Sequence, residues 1–307
     1  MELRQLRHFV AVAEAGNFSE AARRVFLSQP ALTRSIKTLE DHLETRLLDR
    51  GPQGASLTRS GELFLDYARM ILNDCDRAQR EIRMFREGVA GHVSMGIAAL
   101  FAGWIADEAV LRATAQLPNV ELTVTEGYFE DLLGLLRTGK LDFALTNFAQ
   151  PGIDEEFVVE PILSLHARMI AAAHHPLASK SAILPQDLAR ADWVTINKAH
   201  SLDILMKFFG NFELPPPRAL RTNSLALLKA VVANGSHLTL VSHAVMHREL
   251  QRGQVRILDV EMPEVTREAG LIYLRQRPRN SAVERMMQIV REAGRDDGRS
   301  LRDAPAA

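Results

Sequence analysis

The first residues of the chain carry apolar side chains at the three- and four-residue spacing of short amphipathic helices. A first helix over 3–15 ends at Gly16, because glycine readily adopts the left-handed conformation that closes a helix. Asn17 and Ser19 are both able to cap a second helix over 20–25. Ser28 caps a third helix, in which Pro30 occupies the tolerant first turn. The pattern therefore predicts three short helices in succession.

The third predicted helix has two unlike faces. Its apolar stripe consists of Leu32, Ile36, Leu39 and Leu43, and its polar face of Gln29, Thr33, Arg34 and Lys37. The segment 50–58 has the glycines and the proline of a tight hairpin. A long helix is expected over 58–86, with an apolar stripe that Asp74 and Cys75 interrupt and with Gly88 after its end.

From His92 onward, short apolar runs alternate with amphipathic stretches. We expect strands at 93–98, 120–125, 141–146, 167–172, 193–196, 238–241 and 271–274, and helices at 131–137, 202–209, 225–233, 243–251 and 282–292. This alternation predicts α/β units with a largely parallel sheet. The small and charged residues after Gly294 predict a disordered tail over 295–307.

Composition limits the possible functions. The 307 residues suffice for two or three domains, and 47% hydrophobic with 24% charged residues is typical of a globular protein. The net charge of -1 shows no overall basic character, so any contact with nucleic acid must come from a local patch. No secretion signal or membrane span is visible, and a single cysteine, Cys75, fits a reducing compartment. We therefore expect a cytoplasmic protein.

Three short helices with a polar third helix can form a unit that reads DNA, because a helix fits the major groove. Gln29 has the paired donor and acceptor to hold adenine, and Arg34 can hold guanine or a phosphate. Thr33 can meet a thymine methyl group or a hydrogen-bonding base edge. The same pattern also fits a small helical subdomain whose charged face is merely solvated, and the helical spacing alone does not decide between the two.

A longer motif favours the DNA-reading unit over the solvated helical subdomain. The residues Ala21-Ala22, Ser28-Gln29-Pro30-Ala31-Leu32-Thr33, Leu39-Glu40, Leu57-Thr58 and Gly61 resemble, at fixed spacing, the DNA-binding module of the LysR-type transcriptional regulators. His175-Pro176-Leu177-Ala178 and the run 227–241 resemble later segments of that family. The resemblance implies a winged helix-turn-helix over 1–58, a dimerising linker helix over 59–90 and an effector-binding domain over 91–294.

The fold class that the resemblance implies is α/β with an N-terminal all-α winged helix-turn-helix. The effector part would form two Rossmann-like lobes similar to periplasmic binding proteins, lobe 1 over 92–162 and 267–294 and lobe 2 over 163–266. DNA contacts are expected from Ser28, Gln29, Pro30, Thr33, Arg34 and Lys37 and from Arg50 and Gln53 of the wing. The implied partners are double-stranded promoter DNA, a small-molecule effector, RNA polymerase and further copies of the chain in a homodimer or homotetramer. No cofactor and no enzymatic activity are expected.

The predicted effector cleft departs from the family pattern. Ala98-Ala99-Leu100-Phe101 stands where many members carry hydroxyls, Tyr128 and Phe129 replace small polar residues, and His237 and Ser242 replace a glycine and a proline. Parallel α/β units bind ligands where strands end and helices begin. The candidate walls are Ala99, Leu100, Phe129, Asn147, Phe148, Asn197, Ser201, Thr222 and His237. We expect a small, partly apolar or aromatic effector, although Leu100, Phe129 and Phe148 fit a buried core equally well.

Other residues and motifs bear on alternative functions. Cys75 has no second cysteine to resolve an oxidised thiol, which disfavours redox sensing. His243 and His247, with His237 nearby, have metal-ligand spacing but need a further ligand. The nucleophile elbow, the P-loop and the dinucleotide fingerprint are all missing from the sequence. An enzyme or carrier built on the α/β half and a protein–protein adaptor remain the alternatives.

Overall fold

A computed structural model describes residues 1–51, 54–86, 91–148, 153–196, 199–215, 217–261 and 266–300. The chain forms two compact units. The first contains Met1–Ser94 with 119–123 and 130–142, and the second contains the remaining residues. Within the described residues, no helix has both the length and the apolar character that crossing a membrane requires.

The first unit begins with the three predicted helices, α1 (Leu3–Ala15), α2 (Phe18–Arg24) and α3 (Gln29–His42). Their ends follow from the capping residues. Gly16 closes α1 with a φ of 61°, and the Asn17 side chain accepts hydrogen bonds from the backbone of Ser19 and Glu20. Ser28 caps α3 by accepting from the Ala31 amide, and Pro30 lies in the first turn.

The hairpin of the wing follows as β1 (Leu48–Gly51) and β2 (Gly54–Leu57), paired antiparallel from Leu48 with Leu57 to Gly51 with Gly54. Glu40 on α3 holds the base of the hairpin, because its Oε1 accepts from the amides of Leu47 and Leu48 at 2.8 and 3.1 Å. The core beneath these elements consists of Leu6, Phe9, Val12, Ala21, Ala22, Leu32, Ile36, Leu39, Leu47, Leu48 and Ala68.

The long helix α4 (Arg59–Arg86) matches the predicted span. Gly61 permits its close approach to the hairpin, since a Cβ there would lie 2.0 Å from the Leu47 carbonyl oxygen. Part of the apolar stripe packs on the core of α1–α3: the rings of Phe9 and Phe64 lie 5.4 Å apart, and Ile71 contacts the same core. The core of the N-terminal helices therefore covers part of this stripe.

The first unit also includes the start of β3 (Gly91–Ala98) and most of α6 (Phe129–Arg137). Arg77 on α4 forms an ion pair with the buried Asp142 at 3.0 Å. Asp142 Oδ2 also accepts from the Ser94 amide at 2.8 Å. Asn73, one turn before Arg77, donates to the Thr138 carbonyl at 2.5 Å. These polar contacts hold α4 against the segment 138–142.

The second unit contains most of a sheet in the order β4-β3-β5-β11-β6-β9-β7-β8, with β10 paired to β6. The strands not yet given bounds are β4 (Val120–Gly127), β5 (Phe143–Phe148), β6 (Phe157–Ala172), β7 (Asp192–Ile196), β8 (Ala219–Thr222), β9 (His237–Ser242), β10 (Val255–Ile257) and β11 (Thr266–Leu274). Strand β3 is parallel to β5, and β7 is parallel to β8 and β9. Strand β6 and strand β11 run antiparallel to their neighbours, so the sheet is mixed rather than largely parallel.

Helices and short turns connect the strands of the second unit. They are α5 (Ile105–Gln116), α7 (Pro185–Arg190), α8 (Ala199–Gly210), α9 (Leu225–Asn234), α10 (His247–Gln251) and α11 (Ser281–Ser300), with 3-10 turns at Ala99–Phe101, Pro176–Ser179 and His243–Met246. The helix α11 continues six residues past Gly294. The prediction that the chain loses regular structure there is therefore wrong for 295–300, and 301–307 lie outside the described residues.

Two apolar clusters pack on the strands β6, β7 and β9. One surrounds the buried Trp193 and includes Leu205, Phe209 and Leu240, and the Trp193 indole donates to the Leu188 carbonyl at 2.9 Å. The other, which we call the lobe 2 cluster, consists of Ile170, Val194, Leu228, Val232, Val241, Val245, Met246 and Val255. Together they fix the strands β6, β7 and β9.

Candidate nucleic-acid interface and effector cleft

The helix α3 presents the predicted polar face to solvent. Leu32, Ile36 and Leu39 are fully buried. Gln29, Pro30, Arg34 and Lys37 are exposed, Thr33 is half-buried, and the cap Ser28 is exposed beside them. Gln29 Nε2 donates to Thr33 Oγ1 at 3.2 Å, so these two side chains form one polar edge. The arrangement brings all six α3 candidates to one side of a rigid helix.

This face is electrostatically suited to an anionic partner. Within the described part of the chain, neither Arg34 nor Lys37 forms an ion pair with a carboxylate, so both charges are available to a ligand. On the neighbouring α2, Glu20 pairs with Arg23 and Arg24, and the Arg24 hydrogen bond and the Arg23 charge lower the pKa of Glu20. The net charge of that helix therefore remains positive.

A buried histidine on α1, which the sequence pattern did not identify, forms a hydrogen bond with α3. His8 on α1 is hydrogen-bonded through Nδ1 to Ser35 Oγ at 2.7 Å, and its side chain is buried. Burial, with a further contribution from the positive charge of Arg4, lowers the pKa of His8. The neutral imidazole thus ties α1 to the recognition helix. Only the packing of two helices 27 residues apart creates this contact.

The two DNA-contact candidates of the wing, Arg50 and Gln53, remain predictions. Arg50 lies in β1 opposite Ala55, but the description does not extend to its side chain, and Gln53 lies outside the described residues. The hairpin itself is anchored, since the Ala55 amide donates to the Gly16 carbonyl at 2.8 Å. Gly54 is required there, because a Cβ would lie 2.3 Å from that same oxygen.

The effector candidates of lobe 1 lie where its strands end. Ala99 and Leu100 follow β3, and Asn147 and Phe148 end the parallel strand β5, whose Leu145 pairs with Ile97. Phe129 begins α6 directly after β4. Phe148 is buried, whereas Ala99, Leu100, Phe129 and Asn147 are half-buried. The parallel register brings Ala99, Leu100, Asn147 and Phe148 to the same edge of the sheet.

The candidates of lobe 2 are only partly brought together. Thr222 ends β8 opposite Ile196, the last residue of β7, and is therefore at the carboxyl edge. Asn197 lies outside the described residues, and Ser201 lies in the first turns of α8 with a side chain that is not described. His237 is the exception: it begins β9 opposite Asp192, the first residue of β7. It lies at the amino edge, away from the other candidates, so its assignment to the cleft is wrong.

Residues of the two predicted lobes contact one another, and most of them are not among the candidates. Leu100 of lobe 1 packs on the lobe 2 cluster. The Tyr128 hydroxyl donates to the Asn223 carbonyl at 3.2 Å. Asp107, whose Oδ1 accepts from the Gly103 amide, forms an ion pair with Arg248. No local pattern identifies these contacts, because their members are at least seventy residues apart.

Polar atoms without a hydrogen-bond partner lie close to these contacts. The indole Nε1 of Trp104 and the Nε2 of His243 are both buried and have no hydrogen-bond partner among the described residues. The Trp104 ring lies 6.0 Å from that of His247. Burial lowers the pKa of His243, so its imidazole is neutral near neutral pH. Among the described residues, no three His, Cys, Asp or Glu side chains are grouped to hold a metal ion.

Comparison with known proteins matches both parts of the chain. Residues 3–62 match the family described as bacterial regulatory helix-turn-helix protein, lysR family. Residues 86–295 match the family described as LysR substrate binding domain. These two matches cover the elements that carry the candidate nucleic-acid interface and the candidate cleft.

Individual relatives extend over nearly the whole chain. The SDS degradation transcriptional activation protein of Pseudomonas sp. (strain ATCC 19151) is 30% identical over 298 residues, covering 94% of this chain and 95% of its own length. The DNA-binding transcriptional dual regulator OxyR of Escherichia coli (strain K12) is 28% identical over 292 residues, covering 95% of each chain.

The fold is similar to that of solved structures over nearly the whole chain. The structure of full-length CbnR in complex with its target DNA has a TM-score of 0.65 and 21% identity, covering 95% of this chain and 100% of that one. ArgP from Mycobacterium tuberculosis has a TM-score of 0.67 and 17% identity, covering 94% and 96%. With the family matches over both parts, the chain belongs to the LysR family of transcriptional regulators, with a helix-turn-helix DNA-binding domain and a substrate-binding domain.

Proposed function

We propose that this regulator reads promoter DNA through α3 and the wing, as a dimer or tetramer, and responds to a small, partly apolar effector bound between its two lobes. The observation that carries the DNA part is the exposed polar face of α3, with Gln29, Thr33, Arg34 and Lys37 on a helix whose other face is fully buried. A rigid helix of this kind can enter the major groove without rearrangement of the core.

Single substitutions on this face test the DNA part. Gln29→Ala or Arg34→Ala should cost about 1–3 kcal/mol of discrimination at particular base pairs, because each side chain is suited to a base edge. Lys37→Ala should weaken binding to all sequences alike and flatten its dependence on salt, as expected for a phosphate contact. The measurement is a titration of duplexes selected from a randomised library. Unchanged affinity and sequence preference in both Gln29→Ala and Arg34→Ala would contradict the assignment.

Exposed apolar side chains along α4 support the proposed dimer. Leu63, Tyr67 and Ile82 are large apolar side chains that are 67%, 54% and 66% exposed, on a helix that otherwise packs on its own domain. Such exposure on one helix favours a contact with a second copy. Leu63→Glu and Ile82→Glu should therefore lower the oligomeric state in light scattering, whereas Leu111→Glu on the exposed surface of α5 should leave dimerisation through α4 intact. Full-length chains that assemble unchanged with both α4 charges would refute this interface.

The character of the effector is inferred from what surrounds the strand ends. Apolar Ala99, Leu100 and Phe129 predominate there, and Asn147 and Thr222 supply polar groups. The unpartnered indole N–H of Trp104 nearby can donate to an acceptor group of the ligand. We therefore expect a molecule with an aromatic or aliphatic body and an acceptor group.

A screen by thermal shift tests the effector part. Binding to the folded state alone raises the unfolding temperature with ligand concentration. A true effector should lose this shift in Leu100→Glu and keep it in His237→Gln, the matched control at the opposite edge. Retention of the shift in Leu100→Glu would place the ligand elsewhere.

Peroxide sensing through an internal disulfide is not supported. Several relatives are named hydrogen peroxide-inducible genes activators, among them those of Pectobacterium carotovorum and Dickeya chrysanthemi. This chain has one cysteine, Cys75, which lies half-buried on α4 and not in the substrate-binding domain. One thiol cannot form a disulfide within the chain, so a noncovalent effector remains the proposal.

A further inference from the structure

The turn between α2 and α3 contains a residue of unexpected type. In the described part of the chain, the non-glycine residues with positive φ are Phe26, Glu44 and Glu213, with φ between 52° and 56°. Two of these are charged, as is common for residues that end a helix on the surface. Phe26 is apolar, aromatic and 94% exposed. It is also the most exposed of the large hydrophobic side chains in the described residues.

The stability of the fold alone does not explain a phenylalanine at position 26. The left-handed conformation disfavours a side chain with a Cβ, and glycine or asparagine would adopt it more readily. The backbone of the turn is well held, because the Leu27 amide donates to the Ala22 carbonyl at 2.9 Å and the Phe26 amide to the Arg23 carbonyl at 3.2 Å. The ring itself covers almost no protein surface, so it adds little to the stability of the domain. A residue that is both strained and unburied is a candidate for function.

The position of Phe26 suggests the partner. It lies two residues before the cap Ser28 and three before Gln29, the first residue of α3, whose early residues would meet base edges in the proposed function. The residues around it, Arg23 and Arg24, are basic and exposed. The chain between Phe26 and Gln29 spans at most about 11 Å. The ring is therefore continuous with the proposed recognition surface and lies on its positively charged side.

We propose that Phe26 is a DNA-contact residue, whose ring packs on an apolar part of the duplex at the edge of the major groove. The inference rests on the proposed function, since it requires that α3 reads DNA. Two parts of a duplex present such a surface, the methyl group of thymine and the carbon atoms of deoxyribose. Contact with either removes the exposed ring from water, which contributes to affinity in the bound state alone.

The test compares Phe26→Asn and Phe26→Gly with the unmodified full-length chain. Both replacements suit a positive φ, so the unfolding temperature should stay equal or rise. Affinity for a duplex selected by the unmodified chain from a randomised library should fall about five- to tenfold. Glu213→Asn is the matched control, because it relieves the same backbone strain in the substrate-binding domain and should leave the affinity unchanged.

Thymine-to-deoxyuridine replacement in the selected duplex separates the two sources. If the ring contacts a thymine methyl group, one replacement weakens DNA binding by the unmodified chain and leaves binding by Phe26→Asn unchanged. If the ring meets deoxyribose, no replacement distinguishes the two chains, and Phe26→Asn binds every duplex more weakly by the same factor. Equal affinity of Phe26→Asn, Phe26→Gly and the unmodified chain would overturn the contact while leaving the proposed function intact. If the unmodified chain selects no duplex, the proposed function fails with it.

Discussion

The ion pair between Arg77 and Asp142 provides a quantitative test of how α4 is held. Asp142 is only 6% exposed and Arg77 19%. The Arg77→Leu change would leave the buried carboxylate with one ordinary donor, the Ser94 amide, at 2.8 Å. Breaking a buried pair in this way costs about 3–5 kcal/mol, because the remaining charge stays desolvated. Since Arg77 is not fully buried and water can partly replace it, we expect the lower end, about 3 kcal/mol.

The double change shows the origin of this cost. In Arg77→Leu with Asp142→Asn the uncompensated charge is gone, and the amide oxygen still accepts from Ser94. The double variant should therefore be more stable than Arg77→Leu alone, with a coupling energy of about 1–3 kcal/mol. Urea denaturation of the full-length chain, followed by circular dichroism, measures all four proteins. Arg112→Leu, which breaks the exposed pair with Glu108, is the control and should cost less than about 1 kcal/mol.

A coupling energy below about 0.5 kcal/mol would refute the argument, because it is the value expected of independent sites. The same result would mean that α4 is not held on the segment 138–142 through this pair. The Asn73 hydrogen bond to the Thr138 carbonyl offers a second check. Asn73→Ala should then destabilise the chain by about 1 kcal/mol, as expected for one lost hydrogen bond.

Three further outcomes are expected. The pKa of His8 is lowered from its ordinary value near 6.5, so the fold favours the neutral ring. The stabilising contribution of His8 is therefore present above pH 6.5 and is lost as the pH falls below that value. His8→Gln should reduce this loss of stability at acid pH, measured by thermal unfolding from pH 5 to 8. Leu39→Ala should cost about 2–5 kcal/mol, because Leu39 is fully buried beneath α3, and a loss under 1 kcal/mol in urea denaturation would contradict its place in the core. Tyr128→Phe removes only the hydroxyl that donates to the Asn223 carbonyl. Small-angle scattering of this variant should show a wider spread of lobe arrangements than scattering of the control Tyr273→Phe. Identical scattering curves for the two variants would exclude the Tyr128 hydroxyl as a lobe contact.

The sequence predicted the elements whose causes are local. The bounds of α1, α2, α3 and α4 follow from apolar spacing and from caps within a few residues, such as Gly16, Asn17 and Ser28. The apolar strands β3, β7 and β9 were recognisable because buried strands show short continuous apolar runs. The short strands β8 and β10 were missed, since three or four partly exposed residues carry no periodic signal. The part of β6 before Ala167 was also missed, since its partly exposed residues show no regular alternation of buried and exposed positions.

The sequence also predicted the exposed polar face of α3, because all its residues lie on one helix. The cleft was different, since its members are distant in the chain and only the sheet order decides which strand ends meet. His237 shows the limit: it precedes a correctly predicted strand, but the register with Asp192 puts it at the amino edge of the sheet. The partners of Leu100, Asp107 and Tyr128 likewise depend on the packing of one lobe on the other. Periodicity and capping are properties of neighbouring residues, whereas register and lobe contacts arise only when distant segments exclude water together.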